Sequence, residues 1–231
     1  MATTRSSART RPRKRGAGRP RIPAGSREAL LAAGTELFAE RGFDGVSVSA
    51  IALKAGVNRA MISYHFGGKR DLYRAILAAT FGEIVAEVER IAASPAPAPQ
   101  ALREVMATIG ETASRHHPHF CTMMLREVLT GGARLEPATL AQPLRVMGAV
   151  QRIVERGVRE GRFRAVDPLL THLSLIGSLV FFFATMGFRQ RVLRDQLHRE
   201  PPDGATYISH LQELIIEGLA TRGSGRSEGR S

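Results

Sequence analysis

Arg59, Ala60, Met61 and Tyr64 stand close together in a stretch that runs from Val46 to Arg70 without an acidic residue. A guanidinium such as that of Arg59 can take O6 and N7 of a guanine in the major groove. A small apolar group such as Ala60 or Met61 can meet a thymine methyl. The hydroxyls of Tyr64, Ser47 and Ser49 suit phosphate oxygens, contacts that set register without reading sequence. Lys69 opens a further helix, where backbone N–H groups and the helix dipole also favour a phosphate. The competing explanation is packing: Met61, Ile62 and Phe66 are apolar enough for a core, and Ile62 and Phe66 read best that way. What remains is the chemistry of double-stranded DNA.

Those side chains act together only if a helix presents them. Ser47 precedes the apolar set Val48, Ile51, Ala52 and Ala55, and its hydroxyl can accept an orphan backbone N–H as an N-cap. Gly56 follows, where positive φ ends a helix without steric cost. Asn58 lies eleven residues beyond Ser47 and repeats the cap chemistry for a second helix over 59–66. Two helical turns and a short connection fit between the caps, which is the geometry of a helix-turn-helix. Such a second helix enters the major groove with its N-terminal side chains on base edges.

Helices must flank this unit. One over about 26–41 places Leu30, Ala33, Leu37 and Phe38 on one face and closes at Gly42. Another, over 69–92, carries Leu72, Ile76, Ile84, Val88 and Ile91 as a stripe and connects head to body. The prolines in 94–99 then interrupt helix formation, because each lacks a donor and restricts its predecessor.

Phe38, Gly42, Val48, Ile51-Ala52, Ala55-Gly56-Val57-Asn58, Tyr64-His65-Phe66 and Lys69-Arg70-Asp71-Leu72 resemble the TetR family of one-component bacterial regulators. The specific match covers roughly residues 26–73; the rest is similar in helix count and layout. The resemblance implies an all-helical homodimer with a DNA-binding head and an effector-binding body, usually a repressor. It also implies that Arg59, Ala60, Met61, Ser63, Tyr64 and His65 face DNA, and the cap residue Asn58 is expected to contact DNA with them. The chain departs from the family at Ala60-Met61-Ile62-Ser63, where Gly/Pro-Thr-Leu-Tyr is common, so inherited base preferences do not carry over.

Charge sharpens the DNA reading. The formal net charge is +12, yet residues 1–21 hold eight basic side chains and no acid, and residues 22–221 are left near neutral. Such tails cannot bury apolar surface and are expected to be disordered in isolation. Gly18-Arg19-Pro20-Arg21 resembles the core of an AT-hook, which would lay Arg19 and Arg21 in a narrow minor groove. The other reading is a polycation that follows phosphates. The single Cys121 excludes an internal disulfide framework and fits a reducing cytoplasm. No apolar run follows the basic start, so no secretory signal is expected.

In the body, helices are predicted at about 99–116, 118–130, 137–160, 167–192 and 205–221, with breaks at Gly131-Gly132, Gly161 and Pro201-Pro202. The expectation is an all-α fold of about nine helices: a three-helix helix-turn-helix head and a helical effector and dimerisation body. The limits are a basic arm over 1–25, the head over 26–70, the body over 71–221 and a tail over 222–231. Ile208, Leu211, Leu214, Ile215 and Leu219 form an apolar stripe suited to a dimer interface, and a two-fold dimer would ask for a near-palindromic operator. Phe181, Phe182 and Phe183 cannot share one helical face, so their helix must bury more than one side. Phe120, Met124, Phe163, His172 and Phe182 are cavity candidates, as apolar or polarisable residues on body helices.

Other chemistries are weaker. Pro168 to Phe188 is uncharged and long enough to cross a bilayer, but Thr171, His172, Ser174, Ser178 and Thr185 break the run, and a buried helix explains it better. His116, His117, His119 and Cys121 have zinc- or copper-ligand chemistry, but no second ligand pair has metal-site spacing, and Pro118 disrupts the helix that would orient them. No metal or cofactor is expected. Gly-x-Ser-x-Gly, His-Glu-x-x-His, phosphate-loop and dinucleotide motifs are absent, which argues against an enzyme. The expected function is a dimeric transcriptional repressor released by an apolar or amphipathic ligand. The alternative is an effector-independent architectural DNA-binding protein driven by its basic tails.

Overall fold

The computed structural model describes residues 24–116 and 118–221. Four helices build the head: α1 (Ser26–Arg41), α2 (Val48–Lys54), α3 (Ala60–Phe66) and the start of α4 (Lys69–Ala93). The face of α1 with Leu30, Ala33, Leu37 and Phe38 is buried, as its spacing requires. Gly34 lets α1 lie close on α4: a Cβ there would stand 3.1 Å from Ile76 and 3.3 Å from Leu72. Phe38, Phe43 and Tyr73 complete the junction as a triangle of rings with centroids 5.0–5.9 Å apart. Burying such side chains contributes about 1.5–3 kcal/mol each, which anchors the head on α4.

At 25 residues, α4 spans about 37 Å at the helical rise, enough to belong to both halves. It ends at Ser94, whose hydroxyl donates to the Ile91 carbonyl. The body follows as α5 (Ala98–Glu111), α6 (Phe120–Leu129), α7 (Pro137–Leu140), α8 (Gln142–Arg159), α9 (Pro168–Ala184), α10 (Met186–Arg191) and α11 (Gly204–Leu219). Wider π-type turns continue α5 over Thr112–His116 and α10 over Val192–Gln196. Along α8, Val146, Ala149, Val150, Ile153, Val154 and Gly157 form a buried stripe against α4 and α5. Among the described residues there is no strand, only one isolated bridge between Phe163 and Ala220.

The all-α fold matches expectation, but two predicted helices are broken. The helix expected over 137–160 divides at Ala141, because Pro143 has no N–H to give the Thr139 carbonyl. The one expected over 167–192 bends by 61° between Ala184 and Met186. There the Thr185 hydroxyl back-bonds to the Phe181 carbonyl at 2.7 Å, a local competitor of the backbone ladder. No single described helix is therefore long and apolar enough to cross a membrane; the bent pair passes only by length and composition. As the spacing demands, Phe182 and Phe183 turn inward while Phe181 is 65% exposed.

Candidate nucleic-acid interface and effector cavity

The helix-turn-helix forms through the caps read from the sequence. Ser47 Oγ accepts the Ala50 N–H at 3.1 Å, which leaves its hydroxyl proton for another acceptor. Gly56 takes φ +67°, a left-handed turn in which a larger residue would be strained, and Val57 N–H then bonds back to the Ala52 carbonyl. Asn58 Oδ1 accepts the Ala60 N–H at 2.8 Å, so the residue beside the base-reading positions also starts their helix.

On α3, Ala60, Ser63 and Tyr64 share one exposed face, with Arg59 exposed at its entrance. Ser47, the cap of α2, and Ser49 within it are exposed. No ion pair holds Arg59 among the described residues, so its guanidinium is free to meet an external acceptor. Two expected contacts need correction. Met61 is only 5% exposed and packs beside Ile62 in the head core, because it lies about 100° around the helix from Ala60. It cannot meet a thymine methyl without repacking the head. His65 is half-buried, with Nε2 2.7 Å from the Ser26 Oγ, so it ties α3 to the start of α1. Lys69 Nζ stands 4.2 Å above the Phe43 ring, a cation–π contact that holds it near the start of α4. Arg19 and Arg21 lie outside the described residues.

A second site lies in the body. Phe81 and Ile84 of α4, Ile109 of α5, Ala113, then Phe120, Cys121, Met124 and Val128 of α6 surround a cavity of about 160 Å³. Pro143 and Val146 of α8 and His172, Ile176 and Val180 of α9 complete the wall. The Phe81 and Phe120 rings meet edge to face, with centroids 5.0 Å apart. Burial pushes the Cys121 thiol up to about 12, far from the thiolate a nucleophile or metal ligand would need. His172 is 8% exposed with Nδ1 lacking a hydrogen-bond partner, and burial holds its imidazole below the usual range.

Phe120, Met124 and His172 line this cavity, whereas Phe163 and Phe182 do not. Phe163 covers Gly157, where any Cβ would collide with its ring, and its backbone bridges to Ala220. Phe182 is stacked between Tyr207, 3.8 Å away and nearly parallel, and the Arg189 guanidinium, 3.8 Å above its ring. Both fill joints between helices. His117 and the side chain of His116 lie outside the described residues. Among the described residues no group of three or more His, Cys, Asp or Glu could hold a metal.

The dimer stripe also needs correction. Leu211 and Leu219 are buried within their own chain, Ile215 is half-buried, and only Leu214 is freely exposed. Helical spacing alone cannot tell which side of α11 is taken by α5, the helix it packs on. The large apolar side chains left outside on these two helices are Leu169, Leu170, Leu173 and Phe181 of α9 and Leu214 of α11. Leu170, Ser174, Leu214 and Gly218 line one shallow groove between the two helices.

The junction between head and cavity was missed in the sequence. Tyr73 donates its hydroxyl to Glu127 Oε1 at 2.8 Å, and Arg134 lies 3.6 Å from the same oxygen. Arg134 also pairs with Asp44 in the head at 2.7 Å, and Arg126 reaches the Glu40 carbonyl. A glutamate on the apolar stripe of α6, in register with Phe120 and Met124, was the available signal. Burial and the Glu127 carboxylate together raise the Tyr73 phenol well above its ordinary value.

Residues 30–76 match the family of bacterial regulatory proteins, tetR family, and residues 97–215 match the tetracyclin repressor-like C-terminal domain. The chain is 34% identical over 203 residues to the HTH-type transcriptional repressor NicS of Pseudomonas putida, covering 84% of this chain and 92% of that one. It is 24% identical over 205 residues to the HTH-type transcriptional regulator RutR of Escherichia coli K12, covering 88% and 95%. The crystal structure of the TetR family regulator PfmR from Thermus thermophilus superposes with a TM-score of 0.67 at 25% identity, covering 83% of this chain and 99% of that one. With both halves matched and the helix-turn-helix formed, the chain belongs to the TetR family of helix-turn-helix, DNA-binding transcriptional regulators.

Proposed function

We propose that the chain is a dimeric repressor that a small apolar or amphipathic ligand releases from a near-palindromic operator. The observation that carries this reading is one molecule holding both an exposed α3 face, with Arg59 in no ion pair among the described residues, and an apolar cavity in the body. Arg59, Ala60 and Ser63 read bases, and Tyr64, Ser47, Ser49 and Lys69 hold phosphates. Two copies associate through Leu170, Leu173, Phe181 and Leu214. An exposed apolar patch of this kind asks for a partner, and a two-fold pair presents two α3 helices to two half-sites.

Release is a coupling between two sites: the ligand must prefer one placement of the heads over the other. The route is α6, whose Phe120 and Met124 face the cavity while Glu127 faces Tyr73 of α4. The protein acts in the cytoplasm, bound to the nucleoid through its operator. The 1–21 arm adds phosphate contacts, so its deletion lowers the slope of log affinity against log salt by about 2–4. If Arg19 enters the minor groove, deletion also removes a preference for flanking A·T pairs. Parallel salt lines for full-length and truncated protein would show that the arm does not touch DNA.

The test of the whole reading is a DNase footprint on DNA upstream of the chain's own and neighbouring genes. A protected, two-fold symmetric segment supports a dimeric operator-binding protein. Uniform coating of all DNA would support the effector-independent architectural role instead.

A further inference from the structure

We infer that Arg27, in the first turn of α1, is a phosphate contact at the edge of the α3 face, and that the Phe66 ring holds it in place. The inference rests on reading that face as the one that meets the duplex, and it adds a contact from outside the helix-turn-helix.

Local contacts bring the start of α1 to α3. Ser26 is buried, and its Oγ lies 2.7 Å from His65 Nε2. The next residue, Arg27, is exposed, with its guanidinium carbon 5.3 Å from the centroid of the Phe66 ring. His65 in turn meets the exposed Tyr64 ring edge to face, with centroids 5.0 Å apart. Arg27 therefore stands beside the last turn of α3, close to a side chain that shares its outward face with Ala60 and Ser63. A helix in the major groove has a phosphate backbone along each side, and the planar fork of Arg matches phosphate geometry.

The placement of Arg27 is unfavourable within the protomer alone. A cation in the first turn of a helix stands at the positive end of the dipole. Among the described residues no carboxylate forms an ion pair with Arg27 to offset this; its contact is the Phe66 ring. A phosphate beyond the guanidinium supplies the missing counter-charge. Phe66 keeps the side chain ready for it. The ring is half-buried and packs against the head core, so it is a fixed seat, and the cation–π contact holds the guanidinium on it. A long side chain restrained before DNA arrives loses less freedom on binding. Lys69 over Phe43 repeats the arrangement at the start of α4.

Titration of the full-length protein across a salt series, on a random-sequence duplex and on one selected by the wild type from a randomised pool, tests this. Arg27→Gln should lower the slope of log affinity against log salt by about 1, the share of one phosphate contact, and weaken both duplexes alike. Arg27→Lys should restore most of the slope. Phe66→Leu should weaken binding by no more than about fivefold, the scale of an exposed cation–π contact. Adding Arg27→Gln to it should then cost less than in the wild type. Misfolding lowers the active fraction without changing the slope, and Phe66→Met, of similar volume, serves if Phe66→Leu does not fold. A slope and affinity of Arg27→Gln equal to the wild type overturn the phosphate contact; if Arg59→Ala relaxes base preference in the same assay, the reading of α3 survives. A loss confined to the selected duplex would make Arg27 a base reader and overturn the phosphate assignment. Equal costs of Arg27→Gln with and without the Phe66 ring overturn the seat.

Discussion

Two aromatic clusters hold this molecule, and they differ in what they enclose. In the head, Phe38, Phe43 and Tyr73 form a closed triangle between α1 and α4. In the body, Phe81 and Phe120 meet at a similar 5.0 Å but border a cavity of about 160 Å³. A filled cluster resists deformation, since packed interiors have few voids to relax into. That suits a platform that must hold α3 in one orientation. A hollow cluster can change its packing when a ligand arrives. The two are joined: Tyr73 of the filled cluster bonds Glu127 on α6, the helix whose next turn back lines the hollow one.

The largest expected effect comes from the shell that backs the cavity. Leu211→Asp should put an unpaired charge into the joint between α11 and α5 and abolish cooperative folding, whereas Phe181→Asp should leave the protomer folded and convert a dimer to a monomer. Light scattering beside urea unfolding separates the two; equal loss of folding in both would mean that Phe181 is not on a free face.

Next in size are the clusters themselves. Phe38→Ala should cost about 3–5 kcal/mol in urea unfolding, the range for deleting a buried ring. Phe120→Ala should cost less, because part of its surroundings is already empty. Equal costs would erase the distinction between filled and hollow.

The link comes third. Tyr73→Phe leaves Glu127 Oε1 with only Arg134 at 3.6 Å, and Glu127 Oε2 already lacks a partner. The loss should be about 1–3 kcal/mol of stability. It should also weaken the effect of a bound ligand on DNA affinity, measured as the ratio of dissociation constants with and without ligand. An unchanged ratio would place the coupling elsewhere.

The smallest effect is the pH response of the cavity. Burial lowers the folded-state value of His172 below 6.5, so the unfolded chain takes a proton that the folded chain refuses. This component is fully favourable above 6.5, and stability falls as pH drops through 6.5 toward the lowered value. His172→Gln should flatten that part of the stability–pH curve relative to the wild type. Superimposable curves would show that His172 titrates normally.

How far these regions were legible in the sequence follows from what holds each. The head was read through caps and turns, because Ser47, Gly56 and Asn58 act on neighbours a few residues away. The helices of the body were visible in their periodicity, apart from breaks made by Pro143 and Thr185. Burial between distant elements was harder. Met61 and His65 stand at positions that suit DNA contact, yet each is claimed by a contact with the rest of the head. Phe163 and Phe182 have cavity-type side chains but are captured by Gly157 and by Tyr207 with Arg189. The Tyr73–Glu127 bond spans 54 positions, a pairing that no local pattern encodes.

The exposed α3 should read a specific duplex through Arg59. Duplexes selected by the wild-type protein from a randomised pool, followed by titration of wild type and Arg59→Ala at one salt concentration, test it most directly. The selected sequence should be near-palindromic, Arg59→Ala should lose roughly 5- to 150-fold on it, and preference should relax at one base pair in each half-site. Binding to random duplex should change little, since phosphate contacts carry that term. A pool that yields no enriched sequence, or an Arg59→Ala protein with undiminished affinity and the same base preference, would contradict it.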